Sequence, residues 1–514
     1  HLISWMILVV GYQNYTVNQH ELLTQLIHQP INSLMTFQKR LSIYLQSCYE
    51  DFIFEKKRRK NPAHGFLSDR NIHTNAIRHI KSEWVLNIDL QDFFGSINFG
   101  RIRGFLSSKN GLNLTLEVST TIAQLVCFRG VLPQGAPTSP ILSNFIAYSL
   151  DKTLIKLSSK HRLSYTRYAD DLSFSSRVPR PPEEIFLLGS DERGVSPILE
   201  NHIKDHGFKI NDKKTRIQFK HQRQVVTGLV VNQKVGASRE YKKTVRAMLH
   251  NYVTIQKINI VEGNQIKEYF GKDAVKRLSG YLSFLHWLNK SSGKSQISDV
   301  YKEFLIYQKF FVNKNPIILC EGETDVIYYK EALKHFIYKY PSLGKVEEDK
   351  VILNVSFYSY RNKETTKLLG LGGCPSLRNF LESIEKLSKK FRRKSNSHPV
   401  IILVDKDPEG NSVIMKYNSI TSKLGDAYSK DRFNVKVLQI QSDAPVAVVE
   451  DLLPESIIKM TLGDRVFSAG DGTDNDVYYG KVTLAEEVFL KNKALWCFDK
   501  FEQTIKMLAE QIHH

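Results

Sequence analysis

The chain has 514 residues, 42% of them hydrophobic, with 72 Lys and Arg against 53 Asp and Glu and a formal net charge of +19. That length predicts more than one domain, with ample apolar content for buried cores. Five scattered cysteines (Cys48, Cys127, Cys320, Cys374, Cys497) without CxxC spacing argue against a zinc site or a disulfide framework and favour a reducing cytoplasm. The charge is uneven: residues 1–310 hold 43 basic and 25 acidic side chains, and residues 311–514 hold 29 and 28. The first part therefore suits a polyanion, and the second has no such bias.

In chain order, the apolar run Leu2 to Val10 is too short to span a bilayer and lacks the flanks of a secretory signal, so a buried strand or helix is expected. Gly11 to Ile31 contains no Lys or Arg. The densest charge run, Glu55 to Asn61, reads as a solvated loop, with phosphate contact as the sharper alternative. Trp84 to Leu90 reads as a mostly buried strand whose acid, Asp89, precedes Gln91-Asp92-Phe93-Phe94-Gly95-Ser96. Leu132 to Pro140 opens an apolar helix over Ile141 to Leu150. Its Gly and Pro residues let backbone approach a ligand, and Gln134 offers both a donor and an acceptor.

Leu163 to Arg167 and Leu172 to Ser175 alternate as the arms of a hairpin, with Tyr168-Ala169-Asp170-Asp171 at its tip. Adjacent carboxylates stay ionised together only where cations hold them, and two-metal sites of this kind run in-line phosphoryl transfer. An isolated Asp-Asp pair reads more readily as a solvated turn, and the surrounding sequence reverses that preference. A strand-terminal Asp89 facing the pair would complete a three-acid cage for Mg²⁺.

Tyr241 to about Phe311 reads as helical, including Arg277 to Leu288, and Asn313-Lys314-Asn315-Pro316 marks a domain boundary. Ile317 to Cys320 is a short buried strand running into Glu321-Gly322-Glu323-Thr324-Asp325 and a helix through Tyr340. His398 to Val404 repeats the pattern and ends in Asp405-Lys406-Asp407. Ligands gather at the carboxyl ends of parallel strands, so the two acidic clusters are placed to meet around Mg²⁺. Asp405 also mimics the start of an EF-hand loop, but the twelfth position is Lys416 where a bidentate Glu is needed. Leu371-Gly372-Gly373 precedes a helix near Ser376 and reads as a phosphate cradle or a tight turn. The loop Asp471 to Asp476 reads as solvated.

The blocks around Asp89, Gln134 and Asp170-Asp171, in this order, resemble a reverse transcriptase. The resemblance implies that Asp89, Asp170 and Asp171 are the polymerase carboxylates and that Phe94 is the gate against a ribose 2′-hydroxyl. It places Asp92 and Gln134 at the incoming nucleotide. Gly207 to Thr215 resembles the next block, with Lys214 near the triphosphate. Asn75-Ala76-Ile77-Arg78-His79 matches the NAxxH element of retron reverse transcriptases, and Val226-Thr227-Gly228 matches their VTG element. The match implies RNA contacts from Asn75, Ala76, His79, Val226, Thr227 and Gly228; satisfied structural polar groups are the plain alternative. The later strand-end clusters resemble a TOPRIM domain, which implies that Glu321 is a general acid/base or metal ligand and that Asp405 and Asp407 bind metal. Val449 to Pro454 looks like that domain's acidic element, with Glu450 as a further ligand, and Lys481 falls where nuclease-type members carry a lysine.

The implied fold is an α+β right-hand polymerase of fingers, palm and thumb, followed by an α/β, Rossmann-like TOPRIM domain. The expected parts are a divergent or truncated segment at 1–32, fingers and palm at 33–240, a helical thumb at 241–312 and the TOPRIM domain at 316–514. Such a protein copies a structured non-coding RNA into branched, RNA-linked DNA from dNTPs with Mg²⁺, or Mn²⁺ in its place. The fused nuclease would act on a nucleic-acid target in cytoplasmic antiphage defence, with no membrane partner and with a homo-oligomer left open. One feature departs from the family. The opening hairpin usually carries a lysine and an arginine for the triphosphate, and Gly11 to Ile31 has neither. That departure supports the alternative of a weakened polymerase fold that binds RNA and restrains the TOPRIM nuclease.

Overall fold

The computed structural model describes residues 12–19, 23–55, 61–189, 193–263, 265–291, 298–348, 350–391, 398–424, 433–469 and 476–512. The run Leu2 to Val10, the basic residues 56–60 and the acidic loop 471–475 lie outside them. The chain divides into two compact units. One comprises residues 1–245, 259–268 and 284–294, the other 246–258, 269–283 and 295–514. No helix among the described residues is long and apolar enough to cross a membrane.

The first unit opens with an antiparallel hairpin, β1 (Tyr12–Gln19) and β2 (Leu23–Pro30), in register from Tyr12 opposite Pro30 to Gln19 opposite Leu23. The opening hairpin is thus present although its sequence holds no Lys or Arg. Helix α1 (Asn32–Glu55) follows.

The central sheet is built on β3 (Trp84–Gln91), whose apolar residues are buried along nearly the whole strand. Its neighbours are β4 (Ser164–Tyr168), β5 (Asp171–Ser176), β6 (Lys209–Ile210) and β7 (Arg216–Phe219). The order is β4-β5-β3-β6, with β7 also pairing β3, and every pairing is antiparallel. Trp84, Leu86, Ile88 and Leu90 share one face by the two-residue period of a strand. They enter one core with Ile141, Leu142, Phe145 and Leu150 of helix α2 (Ser139–Lys160). Between them Asn87 is satisfied in the interior: its side chain accepts from Ser173 Oγ at 3.0 Å and donates to the Val225 carbonyl at 3.0 Å.

The second unit carries a four-stranded parallel sheet. Its strands are β8 (Ile317–Leu319), β9 (Ser356–Phe357), β10 (Val400–Val404) and β11 (Val435–Gln439), in the order β9-β8-β10-β11. Val400 to Val404 are all buried, as a central parallel strand covered on both faces requires.

The expected helical stretch from Tyr241 to Phe311 is interrupted. Strands Lys257–Glu262 and Gln265–Phe270 form a hairpin between helices Arg239–Ile255 and Gly271–Ser291. The cause is legible afterwards. Ile258 and Ile260 are buried while Asn259 and Val261 are exposed, a two-residue alternation that no helix uses, and Gly263 turns the chain at φ +62°. The two units also divide within this segment and not at Asn313 to Pro316, because alternate stretches of 246–294 belong to different units.

Candidate functional site

The first cluster follows from strand register. Asp89 on β3 lies directly opposite Asp171 on β5, and Ile88 lies opposite Leu172. Tyr168 pairs with Asp171, so Ala169 and Asp170 form a two-residue hairpin loop, with Ala169 at φ +56°. A left-handed alanine needs support from its surroundings. Arg167 supplies it from beneath: its Nη1 donates to the Ala169 carbonyl at 3.3 Å and to Asn144 Oδ1 at 3.0 Å. Its Nη2 pairs with Asp151 at 2.8 Å. Asp151 also accepts from Tyr165 at 2.8 Å, so this buried ion pair is fully hydrogen-bonded. No local sequence pattern marks this brace. A charged residue at Arg167, inside a strand pointing to the core, was the available signal.

Asp89 is held by two residues of the Gly207–Thr215 block. Asn211 Nδ2 donates to its Oδ1 at 2.9 Å, and Lys214 Nζ stands 3.2 Å from its Oδ2. Lys214 therefore meets the acid expected to bind metal. Burial raises the Asp170 carboxyl above its usual range, with Asp89 adding to the shift. Burial also pushes Asp171 up to about 6, reinforced by Asp170 and Asp89 and opposed by Arg216 and Lys214. Phe94 is half-buried against Phe93 and Phe66, Asp92 is exposed at φ +43°, and Gln134 is half-buried.

The NAxxH and VTG residues meet each other. Asn75 Nδ2 lies 3.5 Å from Thr227 Oγ1, and the His79 ring bonds Ser175 Oγ at 2.8 Å and Thr166 Oγ1 at 2.7 Å. Asn75, Ala76, His79 and Val226 are buried. They join the 72–79 segment to the central sheet. Thr227 and Gly228 occupy a tight turn at φ +45° and +79°, half-buried and exposed respectively.

The second cluster assembles at the carboxyl ends of β8 and β10. The Asp405 backbone N–H donates to Glu321 Oε1 at 2.9 Å, and Asp405 Oδ1 accepts from the Val449 N–H at 3.1 Å. Asp325 accepts from the Gly322 N–H at 3.0 Å. Lys481 Nζ pairs with buried Glu450 at 3.0 Å. Burial pushes Asp405 up to about 8, with Glu321, Asp325 and Glu450 adding to it and Lys481 opposing. Glu321 and Glu450 are raised in the same sense, mainly by burial. Asp407 is turned to the start of the helix Pro408–Leu424, where its Oδ1 accepts from the Gly410 N–H at 2.6 Å.

Among the described residues no three His, Cys, Asp or Glu side chains already stand as a metal cage. Asp89 is engaged by Asn211 and Lys214, and Glu321 by main chain. The donor chemistry nevertheless fits a hard divalent cation. Both sets offer carboxylate oxygens, and the burial and mutual repulsion that raise them are what such an ion relieves.

A family model described as reverse transcriptase (RNA-dependent DNA polymerase) matches residues 29–231. Retron Mx65 reverse transcriptase of Myxococcus xanthus is 35% identical over 257 residues, 46% of this chain and 55% of that protein. Retron Ec86 reverse transcriptase of Escherichia coli is 32% identical over 252 residues, 49% of this chain and 70% of that protein. The chain spans about half the length of the first curated relatives it matches. A solved telomerase from Candida albicans with a fragment of telomeric RNA aligns over 75% of this chain and 63% of that one, at 9% identity and a TM-score of 0.34.

Proposed function

The chain belongs to the retron reverse transcriptases, and on that premise we propose that it copies a structured non-coding RNA into branched, RNA-linked DNA from dNTPs. The observation that carries this reading is the register that sets Asp89 against Asp171, with Asp170 at the adjoining tip. Those three carboxylates would hold two Mg²⁺ ions, or Mn²⁺ in their place. When bound, such ions acidify an attacking hydroxyl and offset charge on departing pyrophosphate. Lys214 and Asn211 orient Asp89 before loading, and Lys214 is free to turn to the triphosphate once Asp89 is engaged elsewhere. Phe94 would exclude a ribose 2′-hydroxyl, while Asp92 and Gln134 would border the nucleotide. Arg167 keeps the Ala169–Asp170 turn in position from below.

The second unit reads as a TOPRIM-type nuclease, with Glu321 as general acid/base and Asp405, Asp407 and Glu450 as metal ligands. Lys481 would stabilise charge on the transferred phosphate. Its support is the convergence of Glu321, Asp405 and Glu450 at the strand ends of a parallel sheet. Cleavage released when the branched product is disturbed would serve antiphage defence in the cytoplasm.

The test incubates the purified chain with RNA transcribed from the DNA flanking its gene, labelled dNTPs and Mg²⁺. Labelled DNA whose mobility shifts on RNase treatment supports the reading. A second reading is favoured by the opening hairpin without Lys or Arg: the polymerase fold holds RNA and restrains the nuclease. It predicts retained RNA and no labelled DNA in the same assay.

A further inference from the structure

A cleft of about 290 Å³ opens in the first unit between β4, the end of α2 and the 61–78 segment. Its walls include His64, Arg70, Arg78, Ser158 and Thr166, and among the described residues no Asp or Glu lines it. Arg70 is fixed there, because its Nη1 donates to the carbonyls of Asn61 and Ala63 at 2.7 Å each. Arg78 is exposed. The two guanidiniums bear on each other and on the histidine. Burial pushes His64 down to about 4, and the charges of Arg70 and Arg78 add to it. Arg70 is itself lowered, chiefly by burial and also by Arg78. Ser158 is buried, and its hydroxyl has no hydrogen-bond partner in this structure. Two cations and an unpaired hydroxyl in a carboxylate-free cleft are the complement of an anion.

The histidine adds a second requirement. Thr74 Oγ1 donates to the Asn71 carbonyl at 2.9 Å and lies 2.9 Å from His64 Nδ1, an arrangement that suits a ring donating from Nδ1. A ring that stays uncharged and carries its proton on Nδ1 leaves Nε2 as an acceptor. The cleft therefore offers donors for phosphate together with an acceptor for hydroxyl. A ribose phosphate carries both groups, and the 2′-hydroxyl is what separates RNA from DNA at such a site.

We propose that this cleft is an RNA-backbone subsite, in which Arg70 and Arg78 hold one phosphate and His64 accepts a hydrogen bond from a neighbouring ribose 2′-hydroxyl. The proposal rests on the reading that this chain handles RNA, and it places a contact away from Asp89, Asp170 and Asp171. The test labels arginines of the full chain with phenylglyoxal and follows Arg78 by mass spectrometry. The probes are a mixed-sequence 20-nucleotide RNA, its 2′-O-methyl form, the matching DNA and inorganic phosphate. Arg78 should be protected by RNA and markedly less by the 2′-O-methyl and DNA strands. Arg78→Gln should lower the slope of log affinity against log salt by about 0.7 for the RNA, and Arg78→Lys should restore it. Unchanged Arg78 labelling while a gel shift shows the RNA bound overturns the proposal and leaves the functional reading standing. Absence of any RNA binding by the wild-type chain overturns the functional reading itself. Equal protection by all three strands, or protection by inorganic phosphate alone, overturns the assignment to RNA.

Discussion

The two carboxylate clusters handle their lysines differently. In the first unit Lys214 and Asp89 are 57% and 13% exposed, and in the second Lys481 and Glu450 are 40% and 3% exposed. An ion pair whose cation stands mostly in water contributes about 0–1 kcal/mol, so Asp89 gives up Lys214 at little cost. Buried Glu450 has no such freedom, since removing its cation strands a charge away from water. Asp89 therefore parts from its lysine more readily than Glu450 does, unless another cation replaces Lys481 at the same moment. Their geometries differ in the same way. Antiparallel register sets Asp89 beside Asp171 directly, whereas Glu321, Asp405 and Glu450 converge from separate segments at the carboxyl ends of a parallel sheet's central strands.

The largest expected effects separate the two sites. Asp170→Asn should remove templated DNA synthesis, a loss of more than about 10³-fold or about 4 kcal/mol of barrier, while nuclease activity is retained. Asp405→Asn should do the reverse. Primer-extension and nuclease assays on both variants decide it, and synthesis surviving Asp170→Asn ends the assignment of the palm acids. The next effect tests the brace. Asp151→Ala leaves Arg167 buried and unpaired, and should destabilise the first unit by about 3–5 kcal/mol in urea unfolding. Synthesis should fall with it, because the Ala169 turn loses its support.

A third effect uses pH, and the two units respond in opposite directions. His79 is pushed down to about 3 from an ordinary 6.5, mainly by burial and with His64 and Arg78 adding. Its contribution is complete above pH 6.5 and is lost as pH falls toward 3, because only the unfolded chain takes up the proton in that window. Between pH 7 and pH 5 that amounts to about 2 kcal/mol. Asp405 is raised from 3.8 to about 8, so its contribution is full below 3.8 and is lost as pH rises through 8. Urea unfolding in EDTA should show a shallower acid loss for His79→Gln than for wild type, and Asp405→Asn should flatten the loss as pH rises from about 4 to 8. Equal pH slopes in wild type and His79→Gln would show that the histidine is not held neutral.

Much of the first site was legible in the sequence, because the alternation around Tyr168 to Asp171 and the apolar run before Asp89 each encode a strand, and adjacent strands bring their acids together. The Arg167–Asp151–Asn144 brace was not legible, since it joins a strand to a helix through packing that no local pattern records. The Lys257–Phe270 hairpin was missed because a short alternating stretch sits between two long helical ones. The NAxxH and VTG residues could be found by motif, but their burial could not, because a motif carries identity without exposure.

The smallest effect concerns two motif glycines that look alike in sequence. Gly228 lies at φ +79°, following Thr227 at φ +45°, in the two-residue turn between Val225–Val226 and Leu229–Val230. A Cβ there meets nothing within 4 Å, so crowding does not decide the outcome. The backbone does: an L-residue in the left-handed region is disfavoured by about 1 kcal/mol, which Gly228→Ala should lose. Gly322, at φ −130°, caps the helix Glu323–Phe336 in ordinary extended geometry, and a Cβ there would approach no atom closer than 3.6 Å. Gly322→Ala should therefore change stability by only a few tenths of a kcal/mol. Paired urea titrations of the two variants give the comparison directly. Equal losses would mean that the strand end, like the turn, depends on glycine's left-handed freedom, against the φ at Gly322.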